Sequence, residues 1–407
     1  MGIKIGVIKE GKTPPDKRVP LSPKQCKEIV DSYSNVEIFI QKSEIRKFKD
    51  SEYEAMGLNV VDSIDHCDII IGVKEVPISM LIPNKTFFFF SHTIKEQPYN
   101  RDLLLAIMEK NIKLIDWETL TAASGKRLIG FGRYAGIVGC YNSFLAYGEK
   151  TGAYSLKPAN LCEDRVEMES ELAKVKLPSN YKIVLTGFGR VGKGAIEIIE
   201  KLGLKEVSPE DFKSKIFDQP VWTSLKVDHY NARLDGADFT RQDFYNDPEG
   251  FKSTFSEFSS VANMYVACHY WDARSPFIYT REDMKSDAWN IEVVGDISCD
   301  IDGPVASTIR PSKISDPIYG YNPKLEKEDH HKNKGVITVM AVDNLPCELP
   351  KDASEDFGSE FIKYILPNIA GDDTDAILER ATMTDNKELT KYYAYLQDYV
   401  DGKLIEA

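Results

Sequence analysis

At 407 residues the chain is longer than the ~100–200 residues usual for one domain, so two compact units are expected. Hydrophobic residues at 42% and charged residues at 28% exclude a mainly disordered, collagenous or membrane-spanning chain. Lys and Arg number 51 against 64 Asp and Glu, and the resulting charge of −13 repels phosphate backbones and anionic lipid, which argues against nucleic acid or membrane as partner.

No stretch approaches the ~20 apolar residues of a membrane span, and the start Met1-Gly-Ile-Lys-Ile-Gly-Val-Ile8 lacks a signal-peptide core, so a cytoplasmic location is expected. Seven cysteines form no CxxC pair and read as reduced, mostly buried thiols. Neither Asp65-His66-Cys67 nor Asp329-His330-His331 has a second half-site at zinc spacing, so no metal is expected.

In chain order, Ile3 to Ile8, Val36 to Ile40, Cys67 to Val73, Thr86 to Ser91 and Lys113 to Asp116 read as strands. Pro23 to Tyr33 and Asn100 to Lys110 read as intervening helices, an alternation that predicts a parallel sheet with crossovers. The run Phe87 to Phe90 suits a strand buried on both faces. Residues 134–150 carry small and aromatic residues at helical spacing, and 151–180 read as irregular. From Tyr181 a second α/β unit begins with the strand Lys182 to Thr186, a glycine turn, a helix to about Leu202 and a short strand near Lys205 to Val207. After Pro350 the tail reads as two or three helices. The expected division is a first α/β domain over 1–133, completed by 347–407 if the last helices pack back on it, and a dinucleotide-binding domain over 134–346.

Gly187-Phe-Gly189-Arg190-Val191-Gly192 follows an apolar strand and opens a helix, the setting in which GxGxxG signals a dinucleotide. The first glycine permits a tight turn, the second a close approach of backbone N–H groups to pyrophosphate, and the third close packing of the helix. A ribose-binding carboxylate is expected about 20 residues on, where Ser208 stands before Pro209, Glu210 and Asp211. Glu210 or Asp211 suits the 2′-hydroxyl of NAD, whereas Ser208 with Lys205 or Lys213 suits the 2′-phosphate of NADP, so both cofactors stay open.

Lys74 and His92 each stand just past a first-domain strand, at the sheet end where ligands of open parallel sheets bind. Together they point to acid–base chemistry. Arg18, on the loop after the first strand, and Lys126-Arg127, on a later turn, offer cations for carboxylates, and an arginine fork matches a carboxylate bidentately.

At this point the residues resemble a known family, the lysine-forming saccharopine dehydrogenases and the lysine–2-oxoglutarate reductase half of the bifunctional aminoadipic semialdehyde synthases. The segments that carry the likeness are Arg18 to Pro23, Gly72-Val-Lys74-Glu-Val-Pro77, Phe89-Phe-Ser-His92-Thr-Ile-Lys95, Ile112 to Asp116, Arg127 to Gly132 with Tyr134 to Gly136, Gly295 to Asp300, and Val342 to Pro346 with Leu349-Pro350 and Ala353 to Glu355. The resemblance implies two Rossmann-like α/β domains with parallel sheets and an active-site cleft between them. It implies reversible reductive amination of 2-oxoglutarate by the lysine ε-amine, giving saccharopine, with NAD or NADP as cofactor. By position Lys74 and His92 match the acid–base pair, and Arg18, Gln97, Arg127 and Phe131 the substrate contacts. Lys126, Arg190, Val191, Tyr270, Ile297, Asp343 and Leu345 fall in segments near the nucleotide. Deprotonation of Lys74 then requires burial or nearby cations, for which Arg18, Lys95 and Arg127 are at hand. Ser208 takes the place of the carboxylate of the yeast-type NAD enzymes, and the segment 212–245 has no assigned role. The nearest rivals are an alanine dehydrogenase-like enzyme acting on ammonia and pyruvate, and a nucleotide sensor without turnover. Oligomeric state is left open.

Overall fold

The computed structural model describes residues 2–403 and divides into two units. The first holds the residues up to Phe131 and those from Pro350 onward, and the second is Gly132–Leu349.

The first unit is built on an eight-stranded sheet. Strands β1 (Ile3–Val7), β2 (Val36–Gln41), β3 (Asn59–Val61), β4 (Ile69–Ile71), β5 (Thr86–Phe89) and β6 (Lys113–Asp116) run parallel, in the order β6-β5-β4-β1-β2-β3. Parallel strands covered on both faces read as continuous apolar runs, and Phe87, Phe88, Phe89 and Phe90 are all buried. The helix Pro23–Ser32 starts where its sequence dictates: Pro23 fixes the first helical φ, and Ser22 and Gln25 exchange capping-box hydrogen bonds.

The tail departs from the expected two or three helices. Besides the helix Pro350–Glu360 and shorter helical turns, it forms two strands, Thr382–Asp385 and Glu388–Leu389, which extend the sheet antiparallel beyond β6. Their polar Thr-Met-Thr-Asp pattern gives no apolar run to read. Phe357, Phe361, Ile365 and Leu366 of the tail are fully buried in one core with Ile5, Ile71, Phe88 and Trp117.

The second unit opens with the helix Gly132–Thr151, buried along its whole middle from Gly136 to Gly148. Residues 151–180, expected to be irregular, include the helix Arg165–Glu171, whose N-cap Asp164 accepts from the Glu167 N–H at 2.9 Å. An eight-stranded sheet follows, made of β7 (Lys182–Thr186), β8 (Lys205–Glu206), β9 (Val221–Leu225), β12 (Met264–Ala267), β13 (Val293–Asp296), β14 (Ile318–Asn322), β15 (Lys327–Asp329) and β16 (Ile337–Met340). A separate hairpin pairs β10 (Asn231–Arg233) with β11 (Phe251–Ser253). The sheet order is β15-β14-β16-β13-β12-β7-β9-β8. The six strands from β16 to β8 are parallel, and β14 and β15 are antiparallel at one edge. Among the described residues no helix is long and apolar enough to cross a membrane.

Candidate functional site

In the first unit, the ends of β4, β5 and β6 present a charged cluster. Past β4, the backbone N–H groups of Val73 and Lys74 donate to the two carboxylate oxygens of buried Glu10, at 2.7 and 2.9 Å. Burial pushes the Glu10 carboxyl up to about 7, against those hydrogen bonds. Past β5, His92 sits in the left-handed region at φ 56°, a conformation the non-glycine residues rarely adopt. Its Nδ1 lies 2.6 Å from Glu75 Oε1, and Lys12 Nζ holds the other Glu75 oxygen at 2.6 Å. Burial disfavours the Glu75 charge, but the bonds to His92 and Lys12 outweigh it and carry the group down to about 2. Glu75 is therefore a fixed anion aimed at the imidazole.

The loop that carries His92 is anchored from β6. Buried Asp116 accepts from the N–H and hydroxyl of Ser91, at 2.7 and 2.6 Å, and from the N–H of Glu118 at 2.7 Å. Glu118 faces Arg127 Nη1 at 3.8 Å and Lys95 Nζ at 4.0 Å. Arg127 stands over Phe90, 5.4 Å from its centroid, and Phe90 stacks on His92 at 6.3 Å.

Arg18 is buried, and its fork is engaged by Asp16: Nε donates to Oδ1 at 3.1 Å and Nη2 to Oδ2 at 2.6 Å. The guanidinium stands 4.2 Å from the Phe131 centroid, and Phe131 stacks on Phe357 at 4.5 Å. Burial disfavours the Asp16 charge, but Arg18, with a further contribution from Lys74, holds the carboxyl down at about 2. Asp16, paired with Arg18, thus lies in the field of Lys74 as well, so Lys74 has both a carboxylate and a guanidinium in its surroundings. Lys74, His92, Arg18, Arg127 and Phe131 are brought into one cluster. Gln97 is exposed, and its backbone carbonyl accepts from the Tyr399 hydroxyl at 2.5 Å. Lys126 is an exposed turn residue of this unit, its carbonyl accepting from the Ala122 N–H at 2.9 Å.

In the second unit the glycine turn borders a cavity of about 680 Å³. Gly187 has φ 95°, and a Cβ there would meet the Cys268 carbonyl at 2.4 Å. A Cβ on Gly192 would meet the Gly187 carbonyl at 2.0 Å, whereas one on Gly189 would meet nothing within 4 Å. The first and third glycines are demanded by packing, and the second leaves the open approach a pyrophosphate needs at the start of the helix Arg190–Lys201. Arg190, Val191, Tyr270 and Ile297 line the cavity as well. His269 Nδ1 lies 2.9 Å from Thr186 Oγ1, and burial pushes the ring down to about 4, so it is neutral. His269 Nε2 and Trp271 Nε1, both on cavity-lining residues, are buried with no hydrogen-bond partner among the described residues. These open polar positions, with the glycine cradle, fit a dinucleotide.

Three of the expected nucleotide contacts in the second unit do not line this cavity. Ser208 is the N-cap of the helix Pro209–Ser214, its hydroxyl accepting from the Asp211 N–H at 3.1 Å, and it does not line the cavity. The reason is the sheet order, since β8 is an edge strand and β9 is the one beside β7. Leu345 is a core residue, 2% exposed, and Asp343 is exposed, and neither lines the cavity. Lys226 and Arg241, which do line it, escape a reading that counts about 20 residues from the glycines. Glu75 and His269 adjoin recognised residues in sequence, and that adjacency was the signal available for them.

Comparison with known proteins supports the resemblance. Residues 6–138 match the family described as alanine dehydrogenase/PNT, N-terminal domain. The chain is 29% identical to the alpha-aminoadipic semialdehyde synthase of Arabidopsis thaliana over 96% of its own length and 41% of that protein's. It is 27% identical to the mitochondrial synthase of Mus musculus, over 94% of the chain and 46% of that protein. It thus spans less than half the length of these synthases. Against the saccharopine dehydrogenase [NAD(+), L-lysine-forming] of Schizosaccharomyces pombe it is 27% identical over 87% of the chain and 90% of that protein. Among solved structures, an L-alanine dehydrogenase superposes with a TM-score of 0.63 at 16% identity, covering 98% of this chain and 99% of that one. The chain therefore has the two-sheet α/β fold of an alanine dehydrogenase, matches the alanine dehydrogenase/PNT N-terminal family over residues 6–138, and is similar over most of its length to lysine-forming saccharopine dehydrogenases and alpha-aminoadipic semialdehyde synthases.

Proposed function

We propose that the chain is an NAD(P)-dependent oxidoreductase acting on CH–NH bonds, and within that class a saccharopine dehydrogenase of the L-lysine-forming kind, joining 2-oxoglutarate and the lysine ε-amine reversibly into saccharopine. The observation that carries the reading is the Glu75–His92 pair beside Lys74, set among Arg18, Arg127 and Phe131 in the segments shared with that family.

Reductive amination needs a base to free the incoming amine of its proton and an acid to release the carbinolamine hydroxyl as water. His92, with Glu75 fixing its Nδ1 side, is oriented to exchange a proton through Nε2. Lys74, its backbone pinned by Glu10, is the second proton-transfer group. Arg127 offers a guanidinium to a substrate carboxylate, and Arg18 does so if Asp16 yields part of its fork. The nicotinamide, when bound, supplies the hydride. The glycine turn would hold the pyrophosphate by backbone N–H groups at the start of the helix Arg190–Lys201.

The test is oxidation of NADH and NADPH by the purified protein with 2-oxoglutarate and a panel of lysine, ornithine, other amino acids and ammonia, alongside pyruvate with ammonia. Lysine-dependent turnover is expected. Turnover with ammonia and pyruvate alone would replace this reading by the alanine dehydrogenase-like one. Nucleotide binding with no turnover on any pair would make the chain a sensor.

A further inference from the structure

We propose that Lys226 and Arg241 form a 2′-phosphate subsite in the second-unit cavity, and that the dinucleotide this chain takes is the 2′-phosphorylated form, NADP. The inference rests on the reading of that cavity as a dinucleotide site and settles the choice the sequence leaves open.

The argument begins with sheet order. In a doubly wound sheet the group that recognises the adenosine ribose stands at the C-terminal end of the strand beside the glycine-turn strand. Here that neighbour is β9, parallel to β7, with Thr186 opposite Leu225 in register. The next residues on the two strands are Gly187, which opens the turn, and Lys226. The two-residue β8 and the helix Pro209–Ser214 are inserted before β9, which puts the ribose position 39 residues after Gly187 instead of about 20.

Chemistry then decides between the two nucleotides. A free 2′-hydroxyl is recognised by a carboxylate that accepts its hydrogen bond, and a lysine ammonium has three donors and no acceptor. A phosphate at the same position needs donors and positive charge, and Lys226 supplies both. A second cation, Arg241, lines the same cavity, and its guanidinium can hold two phosphate oxygens at once.

The surrounding charges agree. His229, three residues after Lys226, has its proton affinity lowered by burial and also by the positive fields of Lys226, Arg241 and Lys213, against Asp228, so each of the three cations lies within electrostatic reach of that one ring. Asp272 is the one carboxylate among the described residues that line the cavity, and it is bound by its neighbour Arg274 at 3.1 and 2.6 Å. The carboxylates considered from sequence, Glu210 and Asp211, stand off the cavity and pair with Lys213 at 3.4 Å and Lys215 at 2.9 Å. Part of the segment 212–245, which has no assigned role in the sequence reading, forms cavity wall and places Arg241 on the same cavity as Lys226, with Tyr230, Phe244 and Tyr245 as aromatic lining.

The experiment measures dissociation constants of the whole protein for NADP, NAD, 2′,5′-ADP and 5′-AMP by calorimetry, for the parent and for Lys226→Ala, Arg241→Ala and Lys226→Asp. We expect NADP to bind roughly 100-fold more tightly than NAD, as two charge-assisted contacts imply, with 2′,5′-ADP favoured over 5′-AMP in the same sense. Each alanine variant should cut the NADP-to-NAD ratio about tenfold, and Lys226→Asp should shift it further toward NAD. Equal or tighter binding of NAD by the parent would overturn the subsite while leaving the dehydrogenase reading intact. Variants that weaken NADP and NAD by the same factor would overturn the roles of Lys226 and Arg241. Binding of neither dinucleotide would overturn both the subsite and the reading beneath it.

Discussion

Glu75 and His92 are where a single atom matters most, because the carboxylate fixes one ring nitrogen and leaves the other for chemistry. His92→Ala is expected to lower turnover by ~10² or more with dinucleotide affinity nearly unchanged, and Lys74→Ala likewise. Steady-state kinetics beside calorimetry will read this, and unchanged turnover in both variants would reject the assignment. A second residue-scale consequence concerns pH. Glu348, buried in the second unit, accepts from Asn142 Nδ2 at 2.8 Å, yet burial pushes it up to about 7 from an ordinary 4.5. Its folded-state pKa exceeds the unfolded value, so its stabilisation is complete below about 4.5 and is lost as pH rises through about 7. Glu10 acts in the same direction. Asp16 and Glu75, both held near 2, act oppositely, their stabilisation being lost as pH falls toward that value. Glu348→Gln should therefore flatten the decline of the melting temperature between about pH 5 and pH 8, and parallel curves for parent and variant would refute the assignment. The places of Lys74 and His92 are legible in the sequence because strand ends can be read from apolar runs. Glu10 is not, since its pairing with the backbone beyond β4 joins residues more than sixty positions apart and depends on which loops converge.

Among the elements, the contact between the helices Gly132–Thr151 and Arg190–Lys201 is the tightest constraint on the nucleotide turn. A Cβ on Gly136 would lie 1.9 Å from the Val191 carbonyl, and one on Gly194 would lie 2.0 Å from the Arg133 carbonyl. Gly136→Ala must push the helices apart, at a cost of about 1–3 kcal/mol or more. Because the second helix begins at Arg190, directly after the turn, the displacement should also weaken dinucleotide binding. Gly125→Ala, on a first-unit turn with open space around it, bears only the strain of its positive φ, about 1–2 kcal/mol, and should leave that binding alone. Denaturant unfolding and nucleotide titration of both variants check this, and equal nucleotide affinities would refute it. The glycine spacing makes this turn legible without coordinates. The neighbour of β7 is not legible, because a two-residue strand and a six-residue helix displace β9 along the sequence while leaving its place in the sheet.

On the scale of the whole molecule, the chain leaves the first unit after Phe131 and returns to it at Pro350. A chain ending at Leu349 would lack Phe357, Phe361, Ile365 and Leu366 from the core around Trp117, and the strand that pairs with β6. We expect limited proteolysis of that shortened chain to degrade residues 2–131 quickly while 132–349 resist, and equal resistance of both regions would show the first unit to be self-sufficient. The same topology sets an order of events during synthesis. The β6 edge emerges from the ribosome long before Thr382–Asp385, and at ~5–20 residues per second the interval of about 270 residues lasts roughly 13–54 s. Throughout that time an unpaired strand lies beside the four-phenylalanine run of β5 and its flank, an edge that invites pairing between neighbouring nascent chains. The first unit, though translated first, is the last to close, and its yield at high expression should depend on how well that edge is shielded in the meantime.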